Sequence, residues 1–149
     1  LEKKLSEARS KKPSKKILKL AYLGVPPIMN DLYSYIEERG AKVVFNEVQR
    51  EFAFPRHAKA KNIFEQYLNY TYPYGIEFRI KNLEKDLADR DVQGIIHYTQ
   101  KFCHRALDNI VLKEKLPYPL LNIEADREAV LDERTKLRLD AFIDMLGDM

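Results

Sequence analysis

Apolar residues fall into two alternating patterns along this chain, short continuous runs and stripes at helical spacing. Ile17 to Leu23 is an apolar run closed by Gly24, as expected of a strand covered on both faces. Asn30 or Asp31 is placed to cap the next helix, which carries Leu32, Tyr35 and Ile36 on one face and stops at Gly40. Ala41 to Phe45 then supplies a second, β-branched strand, so the opening pattern reads as a compact βαβ unit.

Residues 49 to 75 break the rhythm with Pro55, Pro73 and Gly75 and an aromatic concentration at Phe64, Tyr67, Tyr70, Tyr72 and Tyr74. A stretch of this length is more than a plain loop, so it is predicted to contain a short helix and to act as a cover. Its tyrosines could stack a flat ligand or shield one from water, and core or subunit-interface packing is the more frequent role of such a group. Ile76, Ile80, Leu83 and Leu87 then trace one helical face, and Val92 to Tyr98 follows as a third strand. Leu107, Ile110 and Val111 predict another amphipathic helix, and Pro117-Tyr118-Pro119 resets the chain for the strand Leu120 to Ile123. Leu139, Phe142, Ile143 and Leu146 close the pattern as a helical stripe ending at Gly147.

Four strands alternating with helices imply a parallel sheet, because right-handed crossovers place helices on both of its faces. The predicted fold is α/β: a flavodoxin-like, Rossmann-like three-layer sandwich with strand order 2-1-3-4 and a helical, aromatic insertion after strand 2. In that order the gap between strands 1 and 3 is the switch point where ligands bind. Two loops border it, Gly24-Val25-Pro26-Pro27 and Thr99 to Cys103.

Composition narrows the setting. The 149 residues suffice for one domain with a substantial core. There is no apolar run of membrane-spanning length and no secretory leader pattern, and a single cysteine cannot form an internal disulfide, so a cytoplasmic protein is expected. The net charge of +3 is unevenly spread: residues 1 to 16 hold seven Lys/Arg against two Glu, leaving 19 basic against 21 acidic residues in the remainder. No basic body is left to track phosphates, which argues against nucleic acid, and the segment is read as a linker before a domain spanning 17–149. The start at Leu1, inside a polar stretch, reads as a piece cut from something longer.

The candidate chemistry gathers at the predicted carboxyl edge of the sheet. Cys103, the lone cysteine, follows strand 3 and is expected in the first turn of a helix, where the dipole favours a thiolate. It could ligate metal, attack a substrate or merely pack. His104 is poorly placed to serve it, since adjacent helical residues diverge by about 100°. His97 is the better neighbour if it faces the crevice, although a buried hydrogen-bonded imidazole is the ordinary role of such a residue. With His57, the histidines show no zinc-site spacing, so a metal on Cys103 would need ligands from elsewhere. The Gly24 loop is no phosphate-binding fingerprint. Glu47, Glu124 and Asp126 follow strands 2 and 4 and could act as acid or base, or simply cap helices and face water. Arg79, set between Phe78 and Ile80, could clamp a phosphate or carboxylate or sit in a structural ion pair.

Five strings in order carry more than any one of them. Gly24-Val25-Pro26-Pro27-Ile28, residues 38 to 50 (ERGAKVVFNEVQR), Gly94-Ile95-Ile96-His97 with Cys103, residues 121 to 126 (LNIEAD) and residues 134 to 142 (RTKLRLDAF) resemble the 2-hydroxyacyl-CoA dehydratase family, which includes benzoyl-CoA reductase subunits. The likeness runs from about residue 17 to 146 and is closest to the carboxy-terminal lobe of a D-component type subunit.

The resemblance implies subunits of two flavodoxin-like lobes that pair. Each holds a [4Fe-4S] cluster through three cysteines, two from the earlier lobe and one matched by Cys103. It implies dehydration of an (R)-2-hydroxyacyl-CoA to an enoyl-CoA, in which a separate ATP-hydrolysing iron-sulfur activator supplies one electron and the thioester carbonyl becomes a ketyl that expels the adjacent hydroxyl. Its partners would be the acyl-CoA, a second dehydratase subunit and the activator. His97 and the Pro26-Pro27 loop would support the cluster, and Glu47 and Arg79 would lie near the pocket. Without the first lobe, the chain is expected to hold no cluster and to turn nothing over. An ATP-dependent reductase of the same superfamily, a non-enzymatic binding lobe using the tyrosine-rich insertion, and a free-standing cysteine enzyme are the alternatives.

Overall fold

A computed structural model describes residues 17–53, 59–68 and 75–149. The basic segment 1–16 and His57, Tyr70, Tyr72 and Tyr74 lie outside the described residues. Four strands, β1 (Leu18–Gly24), β2 (Ala41–Asn46), β3 (Gly94–Gln100) and β4 (Leu120–Ala125), form one parallel sheet in the order β2-β1-β3-β4. The helices are α1 (Leu32–Glu38), α2 (Glu47–Phe52), α3 (Ile63–Leu68), α4 (Ile76–Ala88), α5 (Asp108–Lys115) and α6 (Glu133–Gly147), with a 3-10 turn at His104–Ala106. This is the predicted α/β architecture and strand order.

The sheet is buried on both faces because its strands are apolar at both parities. Leu20, Tyr22, Ile96, Tyr98 and Ile123 pack with Leu32 and Ile36 of α1 and with Leu139, Phe142, Ile143 and Leu146 of α6. Ala21, Leu23 and Ile95 pack on the other face with Leu83 and Leu87 of α4 and Leu112 of α5. The stripe predicted for α6 is the buried one throughout. Gly94 lets α6 lie close against β3, since a Cβ there would come 2.5 Å from the Leu146 Cδ1.

Local details depart from the sequence reading. Asp31 stands at the α1 N-cap without a side-chain cap bond; its Oδ1 instead accepts from the Leu131 N–H at 2.9 Å, tying α1 to the loop before α6. Asp132 does cap α6, accepting from the Thr135 N–H. In β2 the pairing with β1 slips between Leu20 and Ala21, so Val44 is bulged out and Phe45 turns toward α4 with the Ala21 face. β3 and β4 each run two residues further than predicted, which moves their carboxyl ends toward the crevice.

Two expectations fail. The insertion forms α2 directly after β2, which packs on the domain with Val48 and Glu51 buried, and then α3, whose Ile63, Phe64, Tyr67 and Leu68 are all more than half exposed, so α3 does not cover the domain. In α5 the inward residue is Leu112, whereas Leu107 and Ile110 are 72% and 68% exposed. The 3-10 turn between β3 and α5 rotates the helix relative to the phase that continuous helical spacing from Cys103 implies.

Candidate functional site at the switch point

The crevice between β1 and β3 has a wall from each strand. β1 ends at Gly24 with φ +109°, and a Cβ there would collide with the Tyr98 carbonyl oxygen of β3. The chain leaves β1 by donating the Val25 N–H to that same carbonyl at 3.1 Å, and Tyr22 Oη donates to the Val25 carbonyl at 2.6 Å. Pro26 is exposed and Pro27 half-buried just beyond, at the mouth of the crevice.

The second wall leaves β3 through a tight turn, with the Cys103 N–H donating to the Gln100 carbonyl at 3.0 Å. Phe102 sits at the position of that turn that glycine usually takes, with φ +62°, and its ring stands wholly in solvent. Cys103 follows in extended geometry as a half-buried free thiol at the N-cap position of the 3-10 turn, with no side-chain cap bond; α5 begins only at Asp108. The expectation that Cys103 lies inside the first turn of an α-helix is therefore corrected. An aromatic and a loop-forming turn separate the strand from the helix, because Phe102 turns the chain too sharply for the helix to begin at once.

Three of the sequence candidates meet in one buried cluster. Arg79, 2% exposed on α4, donates Nε and Nη2 to the two carboxylate oxygens of Glu47 at 2.6 and 2.7 Å, and Nη1 to Asp108 Oδ2 at 2.7 Å. Glu47 Oε2 also accepts from the Gly24 N–H at 3.1 Å. Burial opposes charge on Glu47, but the Arg79 guanidinium and these hydrogen bonds outweigh it and hold the carboxyl below its ordinary value. Burial likewise works against Arg79, and Glu47 and Asp108 overcome it, keeping the guanidinium charged. The arginine read as a possible anion clamp thus has its fork engaged by carboxylates of its own chain.

His97, fully buried on β3, lies on the same face of the sheet as Ile95 and beneath this cluster. Neither ring nitrogen makes a hydrogen bond of good geometry, nor does Asn109 Oδ1, although Asn109 is placed to influence the ring. Burial first, then the positive charge of Arg79, push the imidazole down to about 4, against opposing pulls from Glu47, Asn109 and Asp108. It is neutral at physiological pH. Among the carboxylates flagged at this edge, Glu124 lies within β4 and faces solvent, and Asp126 is exposed with Lys101 at 3.7 Å.

Asp108, Arg105 and Asn109 complete the cluster and were not singled out from the sequence. A signal was present: Arg105 and Asp108 are opposite charges at i, i+3 immediately after the cysteine, and they lie 3.8 Å apart in the fold.

As a candidate metal centre, the edge offers one soft donor. Cys103 suits one corner of a thiolate-bound cluster, and among the described residues no group of three His, Cys, Asp or Glu side chains could hold a metal. No helix among them is long and apolar enough to cross a membrane.

The fold and this edge define an α/β protein with a flavodoxin-like sheet whose only thiol stands at its topological switch point. The chain belongs to the family described as 2-hydroxyglutaryl-CoA dehydratase, D-component, whose model matches residues 1–146, so the basic segment 1–16 falls inside the matched region. It is a 2-hydroxyacyl-CoA dehydratase-type subunit. No curated protein matches the chain.

Proposed function

We propose that residues 17–149 form the carboxy-terminal lobe of an iron-sulfur dehydratase subunit and that Cys103 supplies one ligand to its [4Fe-4S] cluster. The observation that carries this reading is the position of Cys103, a free, half-buried thiol in extended geometry at the carboxyl end of β3, in a chain of this family. Strand ends at a switch point are where open α/β sheets bind ligands. Because the sequence has one cysteine, the remaining thiolates would come from outside these 149 residues.

When bound, such a cluster would lend one electron, received from an ATP-dependent activator, to an (R)-2-hydroxyacyl-CoA and would take it back once water is lost and the enoyl-CoA is formed. The chain's own residues shape the place where this happens. Gly24, lacking a Cβ, keeps β1 and β3 in close contact at the crevice floor. Pro26 and Pro27 withhold N–H donors along one wall, and beneath it His97 is neutral while Glu47 and Arg79 balance each other's charge. A dry, charge-balanced floor suits one-electron chemistry on a thioester better than a solvated one.

The test is to purify the full-length polypeptide anaerobically, with and without Cys103→Ser, and to measure iron per chain and the visible charge-transfer absorbance. A loss of iron and of absorbance in the variant is expected. Unchanged iron stoichiometry would sink the assignment of Cys103.

A further inference from the structure

Gly24 and Cys103 stand on opposite walls of the crevice, and one guanidinium lies between the groups that hold them. On the first wall the Gly24 N–H is bound by Glu47, and Glu47 receives two of the three donors that Arg79 uses. On the second wall Arg79 Nη1 binds Asp108, the first residue of α5. The Cys103 turn is joined to that helix start by the Ala106 N–H donating to the Cys103 carbonyl at 3.0 Å and the Leu107 N–H donating to the His104 carbonyl at 3.2 Å. Buried Arg105, in the same turn, faces the same Asp108 oxygen.

We propose that Arg79 is a positioning residue that fixes the two walls of the crevice to each other, so that the Gly24 loop and the Cys103 turn cannot shift independently. Only a planar fork can meet both Glu47 oxygens and Asp108 at once; a lysine ammonium on the same stem reaches fewer acceptors. With Arg79 2% exposed, water does not compete for these bonds, and their geometry is held tightly. Its Glu47 arm joins α2 to α4, which a second ion pair, Arg50 with Asp86 at 2.7 Å, also ties together, whereas its Asp108 arm reaches α5. It deepens the proposed function at one point, since it sets where the Cys103 thiol stands, but it makes no demand that the thiol bind metal.

The test is amide hydrogen exchange on the iron-free chain, with the rate of Cys103 alkylation by iodoacetamide read alongside. Asp108→Asn, on the half-exposed side of the cluster, is expected to speed exchange of the Gly24 amide on the far wall by at least about fivefold. Glu47→Gln is expected to do the same for the amides of 106 to 112 and to change the alkylation rate, while the amides of α6 and of central β3 keep theirs. In an Arg79→Lys background neither substitution should reach across. Effects confined to the wall that carries the substitution would overturn the proposal, as would a uniform rise that includes α6. Should Glu47→Gln not fold, the Asp108→Asn and Arg79→Lys pair decides it alone. Because every readout is taken without iron, failure here and failure of the ligand assignment are separate results.

Discussion

At the scale of single residues, His97 carries the clearest pH dependence in the molecule. Its folded value of about 4 lies below the 6.5 of an unperturbed histidine, so the unfolded chain takes up this proton first as acid is added. The stability this represents is fully present above pH 6.5 and is lost as pH falls toward 4. It amounts to at most about 3.5 kcal/mol, because each tenfold difference in proton affinity between the two states is worth roughly 1.4 kcal/mol. Replacing His97 with glutamine is expected to flatten that part of the profile. Urea midpoints at pH 7 and pH 4.5 measure the difference, and an unchanged difference would remove His97 as its source.

Phe102 is the opposite kind of residue, an aromatic in the left-handed region with its ring in solvent. A bulky side chain there costs about 1 kcal/mol that asparagine largely avoids, and no burial offsets it within this chain. Phe102→Asn should therefore raise the thermal midpoint by about 2 °C. Gly24 and Gly40 give a sharper contrast, because both have positive φ but only Gly24 has backbone in the way. Alanine at Gly40 should cost about 1 kcal/mol and at Gly24 more than about 2 kcal/mol, as read from guanidinium unfolding.

At the scale of elements, the helices divide into those that make the core and those that do not. α1, α4, α5 and α6 each bury apolar side chains against the sheet, whereas α3 has no buried residue. Phe64→Glu, at a position 78% exposed, is accordingly expected to alter the stability of this chain by less than about 0.5 kcal/mol in a denaturant titration. A large loss would mean that α3 does cover the domain. The helices that were legible in sequence are the ones whose stripes face a sheet, since burial imposes the 3.6-residue period. α5 was legible as a helix but not in its phase: the 3-10 turn that precedes it is set by the Gln100–Cys103 backbone turn, and composition carries no mark of that.

At the scale of the whole molecule, the single thiol and the buried charge cluster occupy the same edge but do different work. Reconstitution of this 149-residue chain with iron and sulfide under anaerobic conditions is expected to leave Cys103 open to alkylation, with no stoichiometric cluster absorbance. One thiolate among the described residues is too few to hold the four irons. Stoichiometric absorbance that Cys103→Ser abolishes would overturn that expectation.

Alternation of apolar runs and helical stripes by itself determined the parallel four-stranded sheet, because strands covered on both faces must be apolar at both parities and short crossovers admit few topologies. It also brought Glu47, His97 and Cys103 to one edge of that sheet. What those residues do to one another was decided only in three dimensions. Whether Arg79 is open to a ligand or closed on Glu47 and Asp108 depends on distances between residues 29 to 32 positions apart. The bulge at Val44, the left-handed Phe102 and the start of α5 at Asp108 set those distances. Periodicity reports which face a side chain takes; it carries no information about the rotations that bring two faces into contact.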